Sequence, residues 1–272
     1  MNRKRLTQYF PFLLPLRIKQ KKFCYYLKMR FDRNRYAASI SNEKLPYLLF
    51  EATSPLMNLH TGFDLKYQIN KVHNLKLAAA TVNQIVIRPG ETFSFWHCAR
   101  RADRYESYKD GLCLVNGKLK PISGGGLCQL SNLLLWLFLH SPLTITERHG
   151  HSVKDFPGQD AEIPEGVDAT IREGWLDLKV KNNTDTAFQI VLAFDEANLY
   201  GTLRAEKKPS LRYSVSAKDL HYIRKNGKIF EKVSIYRQQW NIKTGRPEWE
   251  TLMYTHTCEI GYTLPEGTPI EA

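Results

Sequence analysis

Long apolar runs are missing from this 272-residue chain; the longest, Leu133 to Leu139, falls far short of the roughly 20 residues that cross a bilayer. Cysteine is sparse. Cys24, Cys98, Cys113, Cys128 and Cys258 are odd in number and form no C-x-x-C pair, which argues against a disulfide framework and against a closed zinc finger. Neither an internal repeat nor a low-complexity linker is present, so solenoids and tethered modules are set aside. Acidic residues are almost absent from one end: residues 1–35 hold 11 Lys and Arg against Asp32 alone. Ten of the twelve net positive charges therefore sit in that arm. The remaining chain is nearly neutral, so its body carries no basic groove for nucleic acid.

What is present has the composition of a globular protein, with 43% hydrophobic and 24% charged residues and enough length to bury a core without staples. The basic arm mixes its charges with aromatic and aliphatic residues such as Phe10, Phe12, Phe23 and Phe31, a combination that either packs on the body or lies on an anionic membrane surface. Arg3-Lys4-Arg5 precedes an apolar stretch, but that stretch is short, holds prolines and lacks a small-residue exit. Cytoplasmic residence is expected, with peripheral membrane contact through the arm as the variant.

The texture of the chain changes near residue 170. Before it, Glu43–Glu51 and Asn70–Ile85 read as helices. Ile85–Ile87 and Thr92–Trp96 read as strands around the turn Arg88-Pro89-Gly90-Glu91. After it, period-two segments punctuated by turns follow one another: Trp175–Lys181, Ala187–Phe194, Leu199–Ala205, Leu211–Val215, Ile229–Tyr236 and Glu248–Glu259. The expected fold class is α+β, with a mixed N-terminal part built on a buried helix after a Gly-rich turn and a mostly antiparallel β C-terminal region. The expected organisation is an arm over 1–40, a motif-bearing α+β part over 41–170 and a β-rich region over 171–272, its continuity with the preceding part left open.

Chemistry concentrates in Ser123-Gly124-Gly125-Gly126-Leu127-Cys128-Gln129-Leu130-Ser131-Asn132, which leads into the leucine-rich helix. Glycines before a helix permit positive φ and close approach of other groups to its N-terminus. Cys128 falls in the first turn, where unpaired N–H groups and the helix dipole favour a thiolate. The competing reading is a small buried core residue. Downstream, Thr144–Val153 reads as a strand whose alternation puts Glu147, His149 and His151 on one face, costly to bury unless they serve each other or a ligand. Asp155, Asp160 or Asp168 is then available to orient a histidine, which allows a Cys, His, Asp order in Cys128, His151 or His149, and Asp168. The same histidines also fit a metal-binding H-x-H pair with Cys128 or Glu147. His97, Cys98, Cys113, His256 and Cys258 read as packing residues, and Asn116-Gly117 as a hairpin turn.

Pro89-Gly90-Glu91-Thr92-Phe93-Ser94-Phe95, Asn116-Gly117, Gly124-Gly125-Gly126-Leu127-Cys128-Gln129-Leu130-Ser131, Glu147-Arg148-His149, His151-Ser152, Asp177-Leu178 and Lys181-Asn182-Asn183-Thr184 together resemble the VanW family over about residues 70–195. The resemblance implies an accessory protein of B-type vancomycin resistance, a context rather than a reaction. Length and the lack of a leader resemble its stand-alone members. Motif residues carry over as Gly124, Gly125, Gly126, Cys128, Gln129, Ser131, Glu147, Arg148, His149, His151 and Ser152. With Asp168 added, Cys128, His151, His149 and Glu147 are candidates for chemistry, and Gly124, Gly125, Gly126, Gln129, Ser131, Arg148 and Ser152 for holding a ligand. One departure follows Phe95, where many relatives have a glycine and this chain has Cys98-Ala99-Arg100-Arg101-Ala102.

Three readings compete. In the first, the cluster of Cys128, His149 and His151 binds a cell-wall precursor or peptide without turnover. In the second, it is a thiol-dependent acyl-transfer or peptide-hydrolysing enzyme with the chain order of papain-like and transglutaminase-like enzymes, and backbone N–H groups near Gly126 and Gln129 hold an oxyanion. The third is a metal-dependent hydrolase. No resident cofactor is expected.

Overall fold

In the computed structural model, residues 10–59, 61–115, 118–155 and 162–271 are described. A short 3₁₀ turn, Pro11–Leu13, leads into helix α1 (Leu14–Phe31), followed by α2 (Lys66–Val82), α3 (Phe95–Ala99) and α4 (Cys128–Leu139). From Leu133 to Leu139 helix α4 is apolar all round, and the structure buries that part on all sides, as such a helix requires. Leu130, Leu133, Leu134, Leu135, Leu137, Phe138 and Leu139 lose essentially all contact with solvent. At its end the Ser141 hydroxyl donates to the Phe138 carbonyl at 2.7 Å, and Pro142 prevents continuation.

Three sheets surround this helix, with strands numbered along the chain. The first has the order β1 (Arg35–Tyr36), β5 (Glu91–Ser94), β10 (Lys179–Lys181), β8 (Thr144–Glu147). The second runs β2 (Ser39–Ile40), β4 (Ile85–Ile87), β11 (Phe188–Phe194), β12 (Asn198–Ala205), β3 (Tyr47–Pro55). The third runs β16 (Ile270–Glu271), β13 (Leu211–Lys225), β14 (Lys228–Asn241), β15 (Pro247–Ile260), β9 (Val153–Lys154). Strands β6 (Asp110–Val115) and β7 (Lys118–Ser123) pair separately as antiparallel neighbours; the turn expected at Asn116-Gly117 falls outside the described residues. The fold is α+β with a β-rich C-terminal region. Strands from either side of residue 170 share each sheet: β10 lies between β5 and β8, and β9 pairs with β15 at Val153↔Glu259.

Helix α4 lies against β3 and β12, where Gly201 permits close contact: a Cβ there would sit 3.0 Å from both Leu133 Cδ2 and Leu137 Cδ1. The turn at Arg88–Glu91 forms as the sequence predicts, with Gly90 at φ +76° and the Glu91 N–H donating to the Arg88 carbonyl at 3.0 Å. Three local expectations are corrected. Glu43–Glu51 is not helical: Pro46 interrupts it, the Gln189 side chain accepts from the Leu45 N–H at 2.9 Å, and Tyr47–Pro55 pairs with β12 as a strand. The strand expected over Thr92–Trp96 stops at Ser94, whose hydroxyl accepts from the His97 N–H and caps α3, so the departure after Phe95 is a helical turn. Strand β8 ends at Glu147, so residues 148–152 are irregular rather than a continuation of its pleat.

Candidate functional site

The glycine run positions Cys128 through backbone contacts that leave no room for side chains. A Cβ on Gly125 would sit 2.1 Å from the Gly111 carbonyl oxygen, and one on Gly111 would sit 2.3 Å from that of Gly125. The β6–β7 pair is thereby pressed against the turn before α4. Asn74, fully buried on α2, donates to the Lys109 and Gly125 carbonyls at 2.9 and 3.0 Å and accepts from the Lys109 N–H at 2.8 Å. Gly126 has φ +92°, and Cys128 follows as the first residue of the helix.

Opposite that terminus, residues 168–171 are tied between α4 and the 148–152 segment. The Ser131 hydroxyl donates to the Ala169 carbonyl at 2.5 Å, the Ala169 N–H to Asn132 Oδ1 at 2.7 Å, and the Thr170 N–H to the His149 carbonyl at 2.7 Å. This lacing sets Asp168 beside His151. His151 Nδ1 lies 2.6 Å from Asp168 Oδ1, and the His151 backbone N–H donates to Asp168 Oδ2 at 2.5 Å. With Nδ1 engaged by Asp168, the His151 ring acts by hydrogen bonding and charge on the Cys128 thiol. The thiol also lies 3.6 Å from Thr170 Oγ1 and receives the Ile171 N–H.

The electrostatics follow from this chain of contacts. Burial alone would raise the Cys128 pKa, but hydrogen bonding and charge from His151, with the Ile171 N–H, bring it below the ordinary thiol value. Burial would lower His151; the Asp168 carboxylate beside it and the thiol instead raise it well above the ordinary imidazole value. Asp168 is likewise opposed by burial yet held down at about 2 by the His151 charge and hydrogen bonds. The arrangement favours a thiolate–imidazolium pair backed by a carboxylate. By contrast, burial pushes the Cys98 and Cys258 thiols up to about 12.

The remaining candidates divide into scaffold and a second cluster. Arg148 donates to the Asp168 carbonyl at 2.7 Å, stacks 3.7 Å from the Tyr254 ring centroid and meets His256 Nδ1 at 3.2 Å. Gln129 is committed to Ser54 Oγ at 2.9 Å and the Pro55 carbonyl at 2.6 Å, and its backbone N–H to the Gly126 carbonyl at 3.2 Å. Ser152 contributes its carbonyl to the Glu259 N–H, and Gly124, at φ +78°, lies against the Tyr108 ring. His149 does not join His151: its Nε2 pairs with Glu147 Oε1 at 3.1 Å, and Glu147 also holds Lys179 at 2.9 Å. Thus the one-faced row of Glu147, His149 and His151 is broken into two groups. Among the described residues, no three His, Cys, Asp or Glu side chains group as metal ligands. Asp155 lies beside Gly261, where a Cβ would sit 2.7 Å from its Oδ1, and Asp160 lies outside the described residues.

His256, read from sequence as a packing residue, stands 3.7 Å from Asp168 Oδ2 and reaches the site from β15. Gly150 admits it, since a Cβ there would sit 2.3 Å from His256 Cε1. Thr170 and Asn74 were also unmarked. The glycine between the two histidines, Gly150, is the sequence signal for the backbone bend that separates His149 from His151.

The family described as VanW like protein matches residues 70–204, a span that includes Cys128, His151 and Asp168 but ends before His256. Over 113 residues the chain is 33% identical to the Uncharacterized protein YoaR of Bacillus subtilis, which covers 42% of this chain and 36% of that protein. It is 52% identical over 271 residues to the Vancomycin B-type resistance protein VanW of Enterococcus faecalis, covering 100% of this chain and 98% of that protein. No solved structure matches the chain. With the family's match covering residues 70–204, and half of all positions identical to a relative from end to end, the chain belongs to the VanW family.

Proposed function

We propose that the protein is a thiol-dependent acyl-transfer enzyme in which Cys128 is the nucleophile, His151 the general base and acid, and Asp168 the group that orients His151. The observation that carries this reading is the His151–Asp168 pair, Nδ1 to Oδ1 at 2.6 Å, acting on a thiol at a helix N-terminus whose pKa His151 lowers. The Cys128 thiolate attacks an acyl carbon, a C–S bond forms, and the C–N bond breaks as His151 passes its proton to the departing amine. An incoming amine or water, deprotonated by His151, then attacks the thioester and releases the thiol. The name of the Enterococcus faecalis relative supports a glycopeptide-resistance context and an acyl or peptide group of a cell-wall precursor as substrate.

The test is the pH dependence of Cys128 alkylation by iodoacetamide, read by peptide mass spectrometry. Expected are selective modification of Cys128, an apparent pKa below the roughly 8.5 of a free thiol, and loss of that activation in His151→Ala but not in His149→Ala. A Cys128 that is inert, or whose reactivity is indifferent to His151, overturns the reading and returns the cluster to ligand binding without turnover. In parallel, the Cys128→Ala variant is expected to abolish any covalent adduct formed with cell-wall stem peptides.

A further inference from the structure

Helix α1 presents apolar residues on two opposite sides; from Lys22 onward one side is covered by the body and the other is open. Toward the body, Met29 is buried, the Tyr25 hydroxyl donates to Asp177 at 2.6 Å, the Tyr26 hydroxyl donates to Glu173 at 2.8 Å, and Lys22 pairs with Glu173. With about 3.6 residues per turn, the side directly opposite is Leu16, Gln20, Phe23, Leu27 and Phe31. These apolar side chains are open to solvent, at 66% for Leu16, 66% for Phe23, 45% for Leu27 and 78% for Phe31. Phe12 extends the exposed surface at the helix start, at 75%, while Leu14, at 50%, opens on the opposite side. Such a contiguous row is not ordinary surface scatter.

Its flanks say what covers it. Arg17 and Lys28 border the row on one side and Lys19 and Arg30 on the other, and α1 contains no acidic residue. We propose that α1 docks the protein on an anionic lipid surface, with Leu16, Phe23, Leu27 and Phe31 entering the headgroup boundary and the four flanking cations meeting lipid phosphates. Because α1 is apolar toward the body as well, it is the uncovered row with its flanking cations, and not the helix as a whole, that has the make-up of an interfacial surface; no helix among the described residues is long and apolar enough to span a membrane. A second copy of the chain fits the face poorly, because apposing two such helices sets cations against cations. The contacts of Tyr25, Tyr26 and Lys22 with residues 173–177 fix the helix rigidly to the segment that continues from Thr170 and Ile171 beside Cys128. Docking therefore holds the site at a set height and angle to the bilayer, and this inference stands whether or not Cys128 is a nucleophile.

The experiment is co-sedimentation of the full chain with vesicles of phosphatidylglycerol and phosphatidylcholine, compared with phosphatidylcholine alone. Expected are binding to the anionic vesicles only, weakening with added salt, and loss in the Phe23→Ser, Leu27→Ser double variant with an unchanged thermal midpoint. The Lys19→Glu, Arg30→Glu variant tests the same face without touching its apolar row, with affinity falling by roughly fivefold or more for each replaced cation. Failure to bind anionic vesicles, or binding indifferent to both variants, overturns the proposal. So does self-association without lipid that the same variants abolish, since it would assign the face to a second copy.

Discussion

At the residue scale, Asp168 is the group on which the site's charge state turns. Its carboxyl is held at about 2 against an ordinary value of 3.8, so the ionised form is better stabilised folded than unfolded. That contribution is complete above about pH 4, is lost as pH falls toward about 2, and amounts to about 2 kcal/mol. Urea unfolding across this acid window is expected to show the decline in the native protein and a flatter profile in Asp168→Asn. His151 has the opposite sign: its raised pKa contributes stability that is complete below the ordinary imidazole value and is lost as pH rises through the folded one. Asp168→Asn is also expected to slow Cys128 alkylation near neutral pH, because an amide orients the ring without sustaining its charge. Unchanged alkylation in that variant would remove Asp168 from the mechanism. The chemical types at this site were legible in the chain, Cys128 after the glycines and Asp168 among the nearby carboxylates. Choosing His151 over His149 was not, because period-two alternation places both on one face, and only the bend at Gly150 turns one toward Asp168 and leaves the other with Glu147.

At the element scale, the turn before α4 depends on Gly125 and Asn74 together. Gly125→Ala is expected to force the β6–β7 pair away from the helix terminus, since a methyl 2.1 Å from a backbone oxygen has nowhere to go. The variant should lose stability in urea unfolding and also lose the selective reactivity of Cys128; retention of both would show that the turn tolerates displacement. Asn74→Ala strips partners from the Lys109 N–H and from two carbonyls, one wholly buried, at an expected cost of about 1–3 kcal/mol or more. In α4 itself, Leu134→Ala opens a cavity in a fully buried position and is expected to cost about 2–5 kcal/mol in the same measurement. Helix α4 was readable because its leucines follow an obvious glycine start and Ser141-Pro142 stop. Strand β3 was not, because past Pro46 the local sequence does not choose between helix and strand, and the non-local pairing with β12 decides for extension.

At the scale of the whole molecule, the site draws on both halves of the chain. Cys128 comes from α4, Asp168 from the segment between β9 and β10, and His256 with Tyr254 from the long strand β15. Val233 and Ile235 of β14 are buried in the same core as α4, and β9 joins the third sheet to the segment that bears His151. We therefore expect the third sheet and the body to unfold together. Urea transitions followed by tryptophan fluorescence, with Trp96 and Trp136 in the body and Trp240 and Trp249 on the third sheet, should coincide with those followed by circular dichroism. Two separated transitions would show that the sheet is an independent unit.

The chain by itself determined the elements with strong local codes: the helix after three glycines, the Pro-Gly turn, the antiparallel segments after residue 170 and the concentration of charge in the first 35 residues. Those features rest on φ freedom, ring constraint, side-chain alternation and plain counting, all of which act between near neighbours. Tertiary structure decided which histidine pairs with Asp168, which partners Gln129 and Ser131 hydrogen-bond, that His256 reaches Asp168 from a distant strand, and which side of α1 is left uncovered. Each of those outcomes depends on contacts between residues tens of positions apart, whose free energy exists only once the sheets have closed around α4.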